Sequence, residues 1–161
     1  MTKEGNFVEL LPLLAAHRVD FILIGGGAGI AHGLARSTYD VDIVYSRDPD
    51  NLQRLADCLA PYNPYLRDMP LGLPFSLDAR TLGNGLNFTL NTELGALDLL
   101  GDVPGGGGYQ ELLASSYVIK LFGYECRVVT LEKLIQLKRA AGRPKDLEAI
   151  AELQLLLNSS R

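Results

Sequence analysis

The feature that most restricts the fold of this chain is a short apolar strand that runs directly into glycine. The run Phe21-Ile-Leu-Ile24 is continuous, apolar and followed by Gly25-Gly26-Gly27, a pattern that indicates a buried strand ending at a tight turn. Residues 28–34 can then begin a helix. Glycine lets the backbone approach a ligand closely, and the N–H groups at a helix N-terminus bind phosphate. The segment therefore predicts either a plain chain reversal or an anion site on Gly25 and Gly26.

Two aspartates stand at the start of the next apolar segment, residues 41–45. Because side chains alternate along a strand, Asp40 and Asp42 project from the same face. Two carboxylates held side by side repel each other unless a cation lies between them. With no histidine or cysteine beside them, such oxygen ligands suit Mg²⁺ far better than zinc. The pair is therefore either a cation site or a solvated strand end.

The rest of the chain predicts further strands and helices in a mixed order. Helices are expected at residues 7–15 behind the N-cap Asn6, at 50–59 behind Pro49, at 131–141 and at 147–157, and hairpin strands at 87–92, 96–100, 117–121 and 126–129. Residues 61–74 are rich in proline and glycine, which predicts a loop that serves as an active-site flap. Hairpins with flanking helices indicate an α+β (mixed α/β) fold with helices packed on a mixed central sheet.

Length and charge restrict the protein further. A chain of 161 residues with 47% hydrophobic content predicts a single domain, residues 1–161. The formal charge of −4 gives no general attraction for nucleic acid, so phosphate has to be bound by local groups. Cys58 and Cys126 are too far apart in sequence for a zinc knuckle. With no secretory signal or membrane-spanning pattern, we expect a cytoplasmic protein without a membrane partner.

Two charged residues stand where the pattern requires apolar side chains. Asp98 is flanked by Leu97 and Leu99 in a strand that is otherwise apolar. Burying an unpaired carboxylate is unfavourable, so Asp98 either caps a turn or binds a cation. Lys138 lies within the apolar stripe of its predicted helix, where it either extends out to solvent or binds an anion.

Several motifs together resemble those of the nucleotidyltransferase superfamily, to which DNA polymerase beta belongs. They are Ile24-Gly25-Gly26, thirteen residues later Asp40-Val41-Asp42-Ile43, the lead-in Arg36-Ser37-Thr38, and the later strand at 96–100. Residues 134–146 resemble the closing motif of the small bacterial abortive-infection, toxin-type branch. The matches run from about residue 21 to residue 157, which is most of the chain.

The resemblance implies a nucleotidyltransferase fold and a two-metal mechanism that uses Mg²⁺ or Mn²⁺. Asp40 and Asp42 would bind the metal that escorts the triphosphate. All three aspartates would bind the metal that activates the attacking hydroxyl, with Asp98 also serving as base. Gly25 and Gly26 would hold the β- and γ-phosphates. Many relatives carry serine after the first glycine, whereas this chain has Gly26 and must use backbone N–H groups.

Five further residues are candidates for nucleotide contacts, each with a simpler alternative. Arg36 clamps a phosphate or is a surface arginine, and Thr38 bonds the loop or has no role. Lys138, Lys145 and Asp146 match the toxin-type motif, although Asp146 is equally suited to be the N-cap of the last helix.

The implied activity is transfer of a nucleoside monophosphate from a metal-bound nucleoside triphosphate to a hydroxyl acceptor. The acceptor is tRNA or another nucleic acid, a protein or a small molecule. The resemblance permits a toxin of a toxin–antitoxin or phage-defence pair, with an antitoxin partner, and the small chain permits a homodimer. The alternative is an inactive nucleotide- or partner-binding protein with the same fold. A dinucleotide-binding fingerprint fails because Ile30 stands where it needs glycine or alanine, and no Walker A lysine follows the glycines.

Overall fold

The protein forms one mixed sheet with helices on it. The computed structural model describes residues 4–34 and 38–159. Within these ranges, strands β1–β7 span Phe21–Ile24, Val41–Tyr45, Tyr65–Leu66, Phe88–Thr92, Gly95–Leu100, Ser116–Leu121 and Tyr124–Val129. Helices α1–α7 span Phe7–Ala16, Gly25–Ala31, Pro49–Leu59, Ala79–Asn84, Tyr109–Leu112, Leu131–Ala141 and Pro144–Ser159.

The sheet order is β3-β4-β5-β2-β1-β7-β6. Pairs β1–β7 and β2–β5 are parallel, whereas β1–β2, β3–β4, β4–β5 and β6–β7 are antiparallel. The predicted α+β (mixed α/β) fold with a mixed central sheet is therefore confirmed. No helix in the described ranges is both long and apolar enough to cross a membrane.

The central strands carry the core. Strand β1 is buried along its whole length, and every residue of β2 except Asp42 is buried. Asp42 lies opposite Ile24 on one neighbouring strand and opposite Asp98 on the other. This register sets two carboxylates side by side at the middle of the sheet.

Most predicted helices begin where the sequence indicates. Asn6 caps α1, its side chain accepting a hydrogen bond from the backbone N–H of Glu9 at 3.1 Å. Pro49 is the first residue of α3, and Thr130 caps α6 by accepting from the N–H of Lys133 at 3.2 Å. Helix starts with a local cap are thus readable from sequence alone.

The glycine segment differs from its prediction. The expected turn at 25–27 and helix at 28–34 are wrong, because α2 starts at Gly25 itself and ends at Ala31. Gly25 has φ +66° and makes the whole change of direction in one residue. The following glycines then take helical conformation, and a Cβ on Gly27 would lie only 2.9 Å from the ring of Phe7.

Several short elements of the described chain escaped prediction, among them a strand and two helices. Strand β3 lies inside the segment expected to be a loop and pairs with Leu90 and Asn91 of β4. Helices α4 and α5 have six and four residues, too few to show a periodic pattern. The last helix starts at Pro144 rather than 147, which places Asp146 inside its first turn instead of at its N-cap.

Candidate active site

Three carboxylates converge where β2 meets β1 and β5. One oxygen each from Asp40, Asp42 and Asp98 lies within 4.8 Å of the others. Asp42 and Asp98 are adjacent across the parallel pair β2–β5, and Asp40 immediately precedes β2. The predicted spacing therefore brings all three aspartates into one cluster.

The cluster contains an uncompensated buried oxygen. Oδ1 of Asp42 is inaccessible to solvent and has no hydrogen-bond partner among the described residues. A buried carboxylate oxygen without a partner is costly unless a cation or a proton satisfies it. The cluster offers only carboxylate oxygens, the ligand set preferred by Mg²⁺ and Mn²⁺. These residues therefore fit a divalent cation.

Mutual repulsion and burial shift the titration of the three groups. Burial, reinforced by the charges of Asp40 and Asp98, raises the pKa of Asp42 well above its ordinary value. Burial and the contacts with Asp40 raise the pKa of Asp98 to about 6. Burial also acts to raise the pKa of Asp40, but hydrogen bonds to Asp98 and Asp42 outweigh it and the pKa is lowered. Burial and crowding thus favour the protonated forms of Asp42 and Asp98, and a bound cation would oppose that effect.

Arg67 is a site residue that the sequence analysis missed. Its Nη2 donates to Oδ1 of Asp98 at 2.8 Å and to the carbonyl of Leu90 at 2.8 Å, and its Nε donates to Oδ1 of Asn91 at 3.2 Å. The ion pair is largely enclosed, with 20% of the Arg67 side chain and 14% of the Asp98 side chain exposed. Arg67 therefore fixes the orientation of the Asp98 carboxylate beside the cluster.

The glycines lie against the carboxylates. A Cβ on Gly25 would overlap the side chain of Asp42, so only glycine allows this close approach. A Cβ on Gly26 would lie 2.5 Å from Oγ1 of Thr38, and that hydroxyl donates to the carbonyl of Asp40 at 3.0 Å. Arg36, the remaining predicted contact of this segment, lies outside the described residues.

Replacing Gly26 by alanine should destabilise the protein through overlap with Thr38. We expect the free energy of unfolding to fall by about 1–3 kcal/mol, the usual effect of overpacking. Chemical denaturation would measure the change, and the double variant Gly26→Ala, Thr38→Gly should recover most of it. Equal destabilisation by the single and double variants would contradict the contact.

Two connected clefts meet at Asp42. The polar cleft, of about 240 Å³, is lined by residues that include Gly25, Gly26, Thr38, Asp40 and Lys145. The apolar cleft, of about 250 Å³, is lined by residues that include Ile24, Leu100, Val103, Leu134 and Leu137. Asp42, Lys138, Arg143 and Asp146 border both.

Lys138 and Asp146 form a buried pair at the junction of the clefts. Nζ of Lys138 lies 3.8 Å from Oδ1 of Asp146, and their side chains are 12% and 2% exposed. Burial lowers the pKa of Lys138, although the charges of Asp146 and Asp42 act to raise it. Lys138 therefore does not extend into solvent.

Arg143 is a second residue that the sequence analysis did not place in the site. Its Nε donates to Oδ2 of Asp146 at 2.6 Å and its Nη2 donates to Oδ1 at 3.2 Å. Asp146 also accepts from the backbone N–H of Arg143 at 3.2 Å, so it caps α7 from within the first turn. Both oxygens of Asp146 are thus held by cations of the protein.

The architecture matches solved structures. The chain aligns with a candidate nucleotidyltransferase from Thermotoga maritima at TM-score 0.58 and 15% identity, covering 95% of this chain and 93% of that one. It also aligns with an antigenic nucleotidyltransferase-like protein from Paracoccidioides brasiliensis at TM-score 0.55 and 16% identity, covering 95% and 78%. This chain has the nucleotidyltransferase fold.

Comparison by sequence gives no match. The chain matches no protein-family model and no curated protein sequence. At such low identity the structural likeness establishes the fold alone, and the activity has to be argued from the site.

Proposed function

We propose that this chain, as one domain, is a metal-dependent nucleotidyltransferase that transfers a nucleoside monophosphate from a nucleoside triphosphate to a hydroxyl acceptor. The observation that carries the proposal is the convergence of Asp40, Asp42 and Asp98 around a buried oxygen of Asp42 that no described residue hydrogen-bonds. The glycine backbone beside Asp42 adds a place where a phosphate can approach closely. Cation ligands and a phosphate site thus lie side by side.

In this proposal Asp40, Asp42 and Asp98 hold Mg²⁺ or Mn²⁺. When bound, such a cation neutralises phosphate charge and activates the attacking oxygen. Arg67 orients Asp98 through the 2.8 Å hydrogen bond, so that its second oxygen can accept the proton of the acceptor hydroxyl. The hydroxyl oxygen bonds to the α-phosphorus, the bond to the bridging oxygen breaks, and pyrophosphate leaves with the electron pair.

The polar cleft receives the β- and γ-phosphates. Gly25, Gly26 and the exposed Lys145 border this cleft, so backbone N–H groups and an ammonium can meet the phosphates there. The hydroxyl of Thr38 donates to the carbonyl of Asp40 and so positions the loop beside the cleft. Lys138 adds a positive charge at the inner end, where Asp146 holds it in place. Asp146 acts through Lys138 and Arg143, because both of its oxygens already contact them.

Calorimetric titration of the four nucleoside triphosphates, with and without Mg²⁺, tests this proposal. We expect magnesium-dependent binding to wild type and none to the Asp40→Ala, Asp42→Ala variant. Lys145→Ala should weaken binding without unfolding the protein. Lys133→Ala, at a half-buried position of α6 that lines neither cleft, should leave binding unchanged. An absence of binding by well-folded wild type would favour the alternative, an inactive protein that binds a partner.

The acceptor is a separate part of the proposal. We propose a hydroxyl of tRNA or another nucleic acid, a protein or a small molecule, in keeping with the resemblance to toxin-type enzymes and their antitoxin partners. To identify the acceptor, the protein is incubated with cell extract and with nucleoside triphosphates labelled at either the α- or the γ-phosphate. Label should reach the acceptor from the α-position alone, and transfer from the γ-position would indicate a kinase instead.

Metal affinity should depend on pH through Asp98. With the pKa of Asp98 at about 6, the cation displaces a proton from Asp98 below that pH and none from Asp98 above it. We therefore expect the apparent affinity for Mn²⁺ to rise about tenfold or more between pH 5 and pH 7. Titration monitored by the paramagnetic resonance of free Mn²⁺ measures this change.

Arg67 provides the matched variant for this pH dependence. Its guanidinium acts to lower the pKa of Asp98, so Arg67→Met should move the midpoint of Mn²⁺ binding to higher pH. Arg54→Met, which removes a partly exposed arginine on α3, should leave the midpoint in place. A midpoint that stays in place in Arg67→Met would contradict the contribution of this ion pair.

A further inference from the structure

Beyond the residues that it shares with the polar cleft, the apolar cleft is lined mainly by aliphatic side chains that hold neither metal nor phosphate. It opens directly from the carboxylate cluster. It lies on the sheet face that carries Asp42, because Ile24 pairs with Asp42 and Leu100 shares its face with Asp98. At a rise of about 3.3 Å per residue, Leu100 lies about 7 Å beyond Asp98 along β5. The cleft therefore extends from the cluster over a distance suited to a nucleoside.

The walls of this cleft suit a flat, uncharged ring. Leu134 and Leu137 of α6 form one side, while Ile24 and Leu100 at the ends of two strands form the other. Aliphatic walls favour an aromatic ring system and disfavour phosphate. The uncharged part of the nucleotide is the substrate portion that fits there.

Two polar side chains, Asn87 and Asp102, border the same cleft. Oδ1 of Asn87 accepts from the backbone N–H of Gly101 at 2.8 Å and of Asp102 at 3.4 Å. Because those partners can only donate, the amide orientation is fixed and its NH₂ group remains for a ligand. The carboxylate of Asp102 has no partner among the described residues and accepts hydrogen bonds only.

We propose that this cleft binds the base of the nucleotide and selects guanine. Guanine presents two adjacent donors, N1–H and the N2 amino group, which match the two oxygens of one carboxylate. Its O6, next to N1–H, can accept from the NH₂ group of Asn87. Adenine, cytosine and uracil each lack the paired donors that Asp102 would bind in a bidentate manner. This inference rests on the proposed function and specifies a guanine nucleotide as the donor substrate.

Competitive calorimetry in the presence of Mg²⁺ tests the inference on the whole protein. Wild type should bind GTP at least about tenfold more tightly than ATP, CTP or UTP, since a bidentate base contact discriminates by about 10- to 100-fold. Asp102→Asn should remove this preference and gain affinity for xanthosine triphosphate, because an amide NH₂ can donate to the O2 of xanthine. Asn87→Ala should reduce the preference for GTP.

Two controls separate this inference from the proposed function. Inorganic triphosphate should bind equally to wild type and Asp102→Asn, since it occupies only the polar cleft. Asp57→Asn removes an equal charge from the exposed surface of α3 and should change nothing. Triphosphate binding without base discrimination, or an equal loss for all four bases in Asp102→Asn, would overturn the guanine site alone. Failure of inorganic triphosphate and all nucleotides to bind would overturn both.

Discussion

Replacing Asp42 by asparagine is expected to stabilise the metal-free protein while it abolishes metal-dependent nucleotide binding. Asp42 carries a buried oxygen that has no hydrogen-bond partner in the described part of the chain, and it lies beside two other carboxylates. Removing this uncompensated charge should raise the free energy of unfolding by about 1–3 kcal/mol at pH 7 to 8. The same change removes a metal ligand, and we expect transfer activity to fall by about a thousandfold or more.

The gain in stability should depend on pH in a defined direction. The pKa of Asp42 is raised in the folded protein, so the contribution of Asp42 to the stability of the wild type is fully present below about pH 4 and is lost as the pH rises through its folded-state pKa. The difference between Asp42→Asn and wild type should therefore vanish near pH 4. Urea denaturation across this pH range measures it, with Asp57→Asn as the control for an exposed aspartate.

Adding Mn²⁺ should make the wild type more stable than Asp42→Asn, the reverse of the order expected without metal. The cation stabilises wild type by binding the folded state alone, whereas Asp42→Asn gains little. Thermal unfolding with and without Mn²⁺ would show this crossing. If Asp42→Asn is less stable than wild type without metal at pH 7, the carboxylate cluster is held by internal pairing and is not built for a cation.

Replacing Asp146 by alanine is expected to cause the largest loss of stability among the site residues. Asp146 is 2% exposed and is the counter-charge of Lys138, whose side chain is 12% exposed. Removing one partner of a buried pair costs about 3–5 kcal/mol, because the other charge is left uncompensated. Chemical denaturation would measure this loss.

A double variant separates the charge from the packing. Lys138→Met with Asp146→Leu removes both charges and keeps apolar volume, so it should recover most of the stability while losing triphosphate affinity. Lys145→Ala, the exposed neighbour, should be close to wild type in stability. Recovery of nucleotide binding by the double variant would remove Lys138 from the phosphate site.

The carboxylate cluster was predictable because its determinants are local. The i, i+2 spacing at the start of β2 predicts that Asp40 and Asp42 share one face, and Asp98 stands out as a charge inside an apolar strand. The N-cap Asn6 and the first-turn proline Pro49 likewise identify the starts of α1 and α3 without tertiary information. The convergence of Asp98 with the pair required only that β5 lie beside β2.

Arg67 and Arg143 were not predictable because their roles depend on tertiary contacts. Arg67 reaches Asp98 through the pairing of β3 with β4, a two-residue strand inside a segment that resembles a loop. The early start of α2 depends on Gly25 taking φ +66° against Asp42, which no local pattern encodes. Asp146 suited an N-cap by sequence, and only the start of α7 at Pro144 places it in the first turn, where its carboxylate accepts from Arg143.

Diffraction from crystals grown with Mn²⁺ and a non-hydrolysable nucleoside triphosphate analogue tests the central claim most directly. Anomalous scattering locates Mn²⁺ without reference to any expectation about its ligands. We predict a peak among the carboxylates of Asp40, Asp42 and Asp98, with the β- and γ-phosphates against Gly25 and Gly26. Well-ordered crystals without a peak at this cluster, or with the triphosphate bound elsewhere, would contradict the account.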